Sequence, residues 1–385
     1  MCKQQVQICF LPQIEAIELE NTLQQMQIHS PHLGVFAFLP EAQKNRLDII
    51  QATCQKLSIP LIGAIPPALL KDNDFNTEGI LLIGFEEMPY FSLLENLSTD
   101  PDEVQQKTDE IIANIHQQLG SSSDLTLFMV FDAVLPNIGT LLDNIYLQLA
   151  NRVHYAGINV GSETFQPMPC LFDAEKIVSN GLLLILLQNN KGAILEHGYH
   201  APKKVVYATS TENNCISQID WRPAFKVYQE LIMAQYGIEI NRDNFYELAV
   251  HYPFGIVRAN HHVVVRIPVM LADDDSLYCI GEVPANSVIT LLERPSVDSG
   301  ETLKVLHEGL TDMNGSTADK ELLLFYCAGR RLHLGIDVAK EELKEFKSLT
   351  QATLVVGALS LGEIGSSTLH GYPLFQNATL VALQC

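Results

Sequence analysis

The chain alternates between dense apolar runs and stretches in which apolar residues recur every three or four positions, and this alternation occurs three times. The first round has the run LGVFAFL (33–39), a helical stretch over 45–57, a glycine-punctuated turn IPLIGAIPPALL (59–70) and a further run over 79–85. The second has LTLFMVF (125–131), a helical stretch over 138–150, the turn VHYAGINVGSE (153–163) and a run over 181–187. The third has LLLFYC (322–327), a helical stretch over 339–347, the turn ATLVVGALSLGEI (352–364) and a run over 378–383. The repetition lies in order and punctuation, not in identity. Leu47, Ile50 and Cys54 fall on one helical face, as do Leu141, Ile145 and Leu149.

Each unit therefore reads as strand, helix, strand, strand. Apolar runs with little alternation, separated by one-sided helices, indicate mixed sheets covered by helices, which is the α/β or α+β class. A further helix is expected over 98–119, with Ile111, Ile112, Ile115 and Leu119 on one face. After the second unit the pattern changes to a helix over 223–236 and then to antiparallel strands, the clearest a hairpin of 263–271 with 276–281 joined by Ala272-Asp273-Asp274-Asp275. An aspartate-rich turn can hold calcium, but this carboxylate spacing is not that of an EF-hand loop, and a hairpin needs a polar turn in any case. A boundary near residue 220 divides the expectation into two lobes, 1–220 with two units and 221–385 with one; no Gly/Ser or Pro linker marks it, so the lobes should pack together.

Composition narrows the function. The 385 residues, 47% hydrophobic, suffice for more than one core. Forty-five acidic against 24 basic residues give a net charge of −21, which repels phosphate backbones and anionic headgroups and argues against nucleic acid or a membrane surface as partner. The first residues lack a secretory pattern, and the longest apolar runs fall far short of the roughly 18–20 residues that span a bilayer, so a cytoplasmic protein is expected. Eight cysteines without a C-x-x-C pair suit reduced thiols better than a disulfide framework or structural zinc.

The third turn carries the sharpest local chemistry. Glycines at a strand end let backbone amides approach a ligand; Ser360, Gly362 and Glu363 there, with Cys327 and Arg330 on the preceding run, supply acceptors and an anion clamp. The alternative is a tight bend with Arg330 and Glu363 as an ion pair. Cys327 is either a thiolate iron ligand or a small buried apolar residue. There is no G-K-[ST] phosphate loop, no dinucleotide fingerprint, no G-x-S-x-G elbow and no H-E-x-x-H helix, so catalytic machinery is not expected.

Several motifs together resemble the FIST sensory family. They are Tyr155-Ala156-Gly157 through Gly161, His197-Gly198-Tyr199, Trp221-Arg222-Pro223-Ala224-Phe225, Tyr252-Pro253-Phe254-Gly255-Ile256, Phe325 through Arg330, Gly357 through Ile364, and Phe375 through Leu380, in the family's order over about residues 30–383. The first turn departs from the family pattern, having Ile65-Pro66-Pro67-Ala68 where Ser/Thr, Gly and Glu are usual. The resemblance implies a cytoplasmic ligand-sensing module acting in trans on a histidine kinase or a cyclic-di-GMP enzyme. Its stand-alone branch, the NosP type, implies bound haem b and nitric oxide as the input. Haem needs an apolar slot and an axial donor; His197, His200 and His251 are the candidates, and of the adjacent His261 and His262 at most one points inward from a strand. The other readings are a small amino-acid-like ligand held by Arg330 and Glu363, with Gly157 and Gly161 lining the site, and an interaction module without a ligand. The sequence does not set the oligomeric state.

Overall fold

The computed structural model describes residues 6–119, 124–258, 262–293, 300–366, 368 and 371–384. Three units of one plan build the larger lobe. The first comprises β1 (Val6–Leu11), α1 (Ala16–His29), β2 (Gly34–Phe38), α2 (Leu47–Leu57), β3 (Leu61–Ala64), β4 (Leu69–Lys71), β5 (Asp74–Asn76) and β6 (Ile80–Phe85). The second comprises β7 (Phe91–Leu94), α3 (Pro101–Gln118), β8 (Leu125–Asp132), α4 (Ile138–Leu149), β9 (His154–Val160), β10 (Leu171–Asp173), β11 (Ile177–Val178) and β12 (Leu182–Gln188).

The third unit opens with β13 (Ile194–Glu196) and is then interrupted by the smaller lobe. That lobe holds β14 (Val206–Glu212), β15 (Cys215–Ile219), β16 (Arg222–Pro223), α5 (Ala224–Tyr236), α6 (Phe245–Leu248), β17 (Phe254–Val257), β18 (Val263–Arg266), β19 (Pro268–Leu271), β20 (Leu277–Cys279) and β21 (Ser287–Leu291). The unit resumes with α7 (Glu301–Asn314), β22 (Glu321–Cys327), α8 (Ala328–Leu334), α9 (Ile336–Thr350), β23 (Leu354–Ser360), β24 (Glu363–Gly365), β25 (Leu374–Gln376) and β26 (Leu380–Gln384). The protein is thus a two-lobed mixed α/β structure. The recurring unit is longer than its sequence pattern: an edge strand and a helix precede the strand, helix, strand, strand motif, and a short hairpin sits within it.

Strand order is the same in all three sheets. Within each, β2, β8 or β22 runs parallel to β3, β9 or β23 on one side and antiparallel to β6, β12 or β26 on the other. The edge beyond the antiparallel strand is closed by β1, β7 or β13. The opposite edge is completed by another unit: β10 and β11 join the first sheet, β24 and β25 the second, and β4 and β5 the third. Each unit gives its hairpin away and receives another's, so no unit closes its own sheet. An unpaired strand edge invites association with other chains, and the exchange covers these edges internally.

The three sheets share one core. Phe36 and Phe38 of β2, Phe128 of β8 and Phe325 of β22 meet there, with ring centroids 6.3 Å apart for Phe36–Phe128, 5.7 Å for Phe38–Phe325 and 5.8 Å for Phe128–Phe325. Helices cover the outer faces; Leu141, Ile145 and Leu149 of α4 are buried on one side, as their spacing predicts, and so are Leu47, Ile50 and Cys54 of α2. The expected helix over 98–119 is α3, whose first turn is capped by the Asp100 carboxylate accepting from the amides of Asp102 and Glu103.

One glycine recurs at the same place in each unit. A methyl group on Gly63, Gly157 or Gly357 would stand 2.4, 2.4 or 2.0 Å from the carbonyl oxygen of Ala37, Met129 or Leu324, the residue opposite on the neighbouring parallel strand. The backbones can approach this closely only without a side chain. Gly157→Ala should therefore lower the stability by about 1–3 kcal/mol, the usual cost of overpacking, seen as a lower urea midpoint; an unchanged midpoint would mean that the strands can part freely.

The smaller lobe is an antiparallel sheet, ordered β18-β17-β21-β14-β15-β20-β19 with β16 on β15, packed under α5 through Phe225, Tyr228, Phe245 and Phe254. The aspartate-rich turn joins β19 to β20 as expected; Arg242 pairs with Asp275, and Asp274 accepts from the Ser276 amide. Among the described residues no helix is long and apolar enough to cross a membrane. His261 lies outside the described residues.

Candidate functional site

Strand ends gather most of the residues singled out from the sequence. Cys327 ends β22, and its sulfur accepts from the Ala378 amide at 3.1 Å. Glu363, the first residue of β24, is fully buried and its carboxylate accepts from the hydroxyls of Ser360 and Thr379. Burial raises the Glu363 carboxyl to about 7, against the lowering effect of those hydroxyls, and burial likewise pushes the Cys327 thiol far above its ordinary range. The carbonyl of Gly362 accepts from the Asn159 amide at 2.7 Å, and a methyl on Gly362 would stand 2.6 Å from the Phe375 ring.

Arg330 does not pair with Glu363. It lies on α8 and is fully buried, and it faces Glu342 of α9 through Nε at 2.9 Å and Nη2 at 2.6 Å. Tyr326 adds a third donor to the same carboxylate at 2.6 Å. Burial alone would lower the pKa of the guanidinium, but the Glu342 carboxylate outweighs it and holds the group firmly charged. The remaining reach of Arg330 goes to the carbonyls of His197 at 2.7 Å and Ala378 at 3.4 Å. Gly157 lies in the close strand approach described above. Gly161 follows β9 with φ +132° and donates its amide to the Ile65 carbonyl at 3.0 Å.

The three histidines differ in setting. His197 is half-buried, and its Nδ1 accepts from the Tyr199 amide at 2.9 Å; that assignment puts the proton on Nε2, which donates to the Val263 carbonyl at 3.2 Å. Burial lowers its pKa, so the ring is neutral near pH 7 with both nitrogens engaged. His200 is exposed, its backbone paired with Glu293. His251 is half-buried, its ring 5.3 Å from that of His333, which in turn bonds the Tyr199 hydroxyl through Nδ1 at 2.6 Å. His333 was not among the candidates, because one histidine in a helical stretch gives no signal of its own.

A separate cavity of about 400 Å³ opens where the three sheets converge. It is lined by one cross-strand pair from each unit: Phe36 with Ile83, Phe128 with Ile185, and Leu323 with Leu383. The wall is apolar and the rim polar. Asn190 is fixed at the rim, donating to the Gln384 carbonyl at 2.9 Å and accepting from Thr126 Oγ1 at 2.8 Å. Gln384 Oε1 is buried and has no hydrogen-bond partner among the described residues. Lys191 also lines the rim and is not among the ion-paired lysines of the described residues. A cavity of this size, with an apolar wall and a polar rim that also includes Asp124, suits a small organic ligand.

None of the cavity-lining residues is His, Cys, Met or Tyr, so the set does not fit a haem with one of these axial ligands. Among the described residues no three His, Cys, Asp or Glu side chains group as a metal site. The lining residues were in the sequence as the repeated apolar runs, yet nothing there distinguishes a residue that fills a core from one that borders a void. The FIST N domain matches residues 34–222 and the FIST C domain residues 224–366. Among curated proteins, none matches the chain.

Proposed function

The chain belongs to the FIST family, whose domains are sensory, and from that premise we propose that it senses a small, largely apolar molecule in the cavity between the three sheets and controls a separate signalling enzyme. The observation that carries the reading is the equivalence of the lining: a ligand there touches one strand pair of every unit at once. Because each unit also holds another's hairpin, a shift at the cavity is passed around all three sheets. The apolar wall favours a hydrocarbon or aromatic body, the unpartnered Gln384 oxygen a hydrogen-bond donor, and Lys191 an anionic group at the ligand's polar end. The enzyme controlled would be a histidine kinase or a cyclic-di-GMP enzyme, as the family resemblance implies.

The probe 1-anilinonaphthalene-8-sulfonate, with apolar rings and one sulfonate, tests this directly. It should bind the folded protein saturably at one site, with binding at least tenfold weaker in Ile185→Trp, which fills the cavity, and severalfold weaker in Lys191→Ala. Undiminished binding in Lys191→Ala and in a folded Ile185→Trp would rule the cavity out.

Haem with nitric oxide as its input is a second reading, favoured by the gathering of His251, His333 and Tyr199 at the junction of the lobes. It requires a histidine to leave its present contacts. A stoichiometric Soret band on adding haem, lost in His251→Ala, would support it. Thiol catalysis has less support, since burial keeps Cys327 protonated near pH 7.

A further inference from the structure

The cleft of about 660 Å³ between the lobes is lined by two arginines, Arg258 and Arg266. Among the described residues Arg222, Arg242, Arg330 and Arg331 are ion-paired, and Arg46 and Arg152 are not. Arg258 and Arg266, both lining this cleft, have no carboxylate within ion-pair distance among the described residues.

Arg266 is the more telling. It ends β18, is only 5% exposed, and lies over the Phe375 ring with its guanidinium carbon 5.4 Å from the centroid. Nε donates to the Glu282 carbonyl at 2.9 Å, and Nη1 to the carbonyls of Val265 at 3.0 Å and Phe375 at 2.9 Å. These bonds fix the plane of the fork, and Nη2 makes no hydrogen bond among the described residues. A buried cation held in place without a counter-ion is expensive for a fold that gains nothing else from it. Arg258, exposed and 6.0 Å from the Tyr372 ring centroid, repels it electrostatically from the same cleft.

The cleft's carboxylates are already engaged. Glu282 accepts from both the amide and the hydroxyl of Thr140 at the start of α4, and Asp143 accepts from the Tyr372 hydroxyl at 2.8 Å. Both act on Arg266 from a distance and favour its charged form, but neither reaches either guanidinium within ion-pair distance. We infer that the cleft is a second binding site, for a small oxyanion-bearing molecule held by the planar fork of Arg266 and closed over by Arg258. A planar guanidinium matches carboxylate and phosphate oxygens alike. The anion would join the antiparallel lobe, which carries both arginines, to α4 and β25 of the larger lobe, so that its binding fixes how the two lobes sit together.

Calorimetric titration of the full chain at constant ionic strength, with inorganic phosphate and separately with succinate, tests the inference. One or both should bind saturably, with affinity reduced at least tenfold in Arg258→Gln, an exposed position, and in Arg266→Lys, which keeps the charge but loses the fork. Binding of phosphate alone identifies a phosphoryl ligand, and of succinate alone a carboxylate. No saturable heat with either anion, or equal affinity in parent and variants, overturns the site. The sulfonate probe of the central cavity reads a different place, so either result stands without the other.

Discussion

Glu342→Ala is expected to lower stability by about 3–5 kcal/mol, the range found when one partner of a buried ion pair is removed. The guanidinium of Arg330 is fully buried and faces the Glu342 carboxylate with two nitrogens, at 2.9 and 2.6 Å. Without the carboxylate, its remaining partners are the carbonyls of His197 and Ala378, which carry no charge to compensate it. The Tyr326 hydroxyl loses its acceptor as well. The loss should therefore exceed that of a surface pair such as Lys344–Glu341, which is exposed on both sides and falls near the 0–1 kcal/mol of such bridges. Replacing both members, Arg330→Met with Glu342→Leu, should recover most of the stability, because no unpaired charge remains. Urea denaturation of the parent, the two single variants and the double variant measures this. A Glu342→Ala midpoint close to the parent's, or a double variant as weak as the sum of the singles, would show that the pair does not govern the packing of α8 on α9.

Glu363→Gln should remove a pH dependence of about 3 kcal/mol. Burial raises the folded-state pKa from the ordinary 4.5 to about 7. Below pH 4.5 the carboxyl is protonated in both folded and unfolded chains and makes no difference. Between 4.5 and 7 the unfolded chain releases its proton while the folded one keeps it, so stability falls as pH rises, and above 7 the loss is complete. The groups facing the carboxyl are the Ser360 and Thr379 hydroxyls and the Cys327 thiol, all uncharged in this window. Glutamine keeps the shape and a hydrogen-bonding end without a charge. The variant should match the parent near pH 4 and be more stable near pH 8, as read from denaturation midpoints at each pH. Parallel profiles across that range would mean that Glu363 is ionised at little cost. Asp132 and Glu282, also raised by burial, contribute in the same direction to the parent and variant alike, so the difference isolates Glu363.

The sequence placed the central strands correctly because burial on both faces leaves an unmistakable run. LGVFAFL, LTLFMVF and LLLFYC became β2, β8 and β22, and the helices after them bury the faces their spacing indicates. The exchanged hairpins were not legible. Strands of two or three residues, such as β11 and β24, are too short for any period, and they look alike whichever sheet receives them. The sequence pattern shows the third unit only from 322 onward, because its first strand, β13, stands more than a hundred residues before α7, with the antiparallel lobe between them. No local pattern joins pieces so far apart.

The site residues divide along the same line. Ser360 and Glu363 were recognisable as neighbours because they are three residues apart at one strand end, and their side chains do meet. Arg330 reads as part of that end because it follows the run 322–327, whereas its carboxylate comes from the next helix, where Glu342 stands among other acidic residues such as Glu341 and Glu345. Residue type and spacing alone thus determined the class of fold, the three units, the central strands and the absence of a phosphate-loop or dinucleotide motif. Which unit lends its hairpin to which, which carboxylate neutralises the buried arginine, and where three apolar walls leave a space of about 400 Å³ were decided only by tertiary packing. The physical reason is that periodicity records which side of a strand or helix avoids water, while partner choice and voids depend on distances between segments remote in the chain.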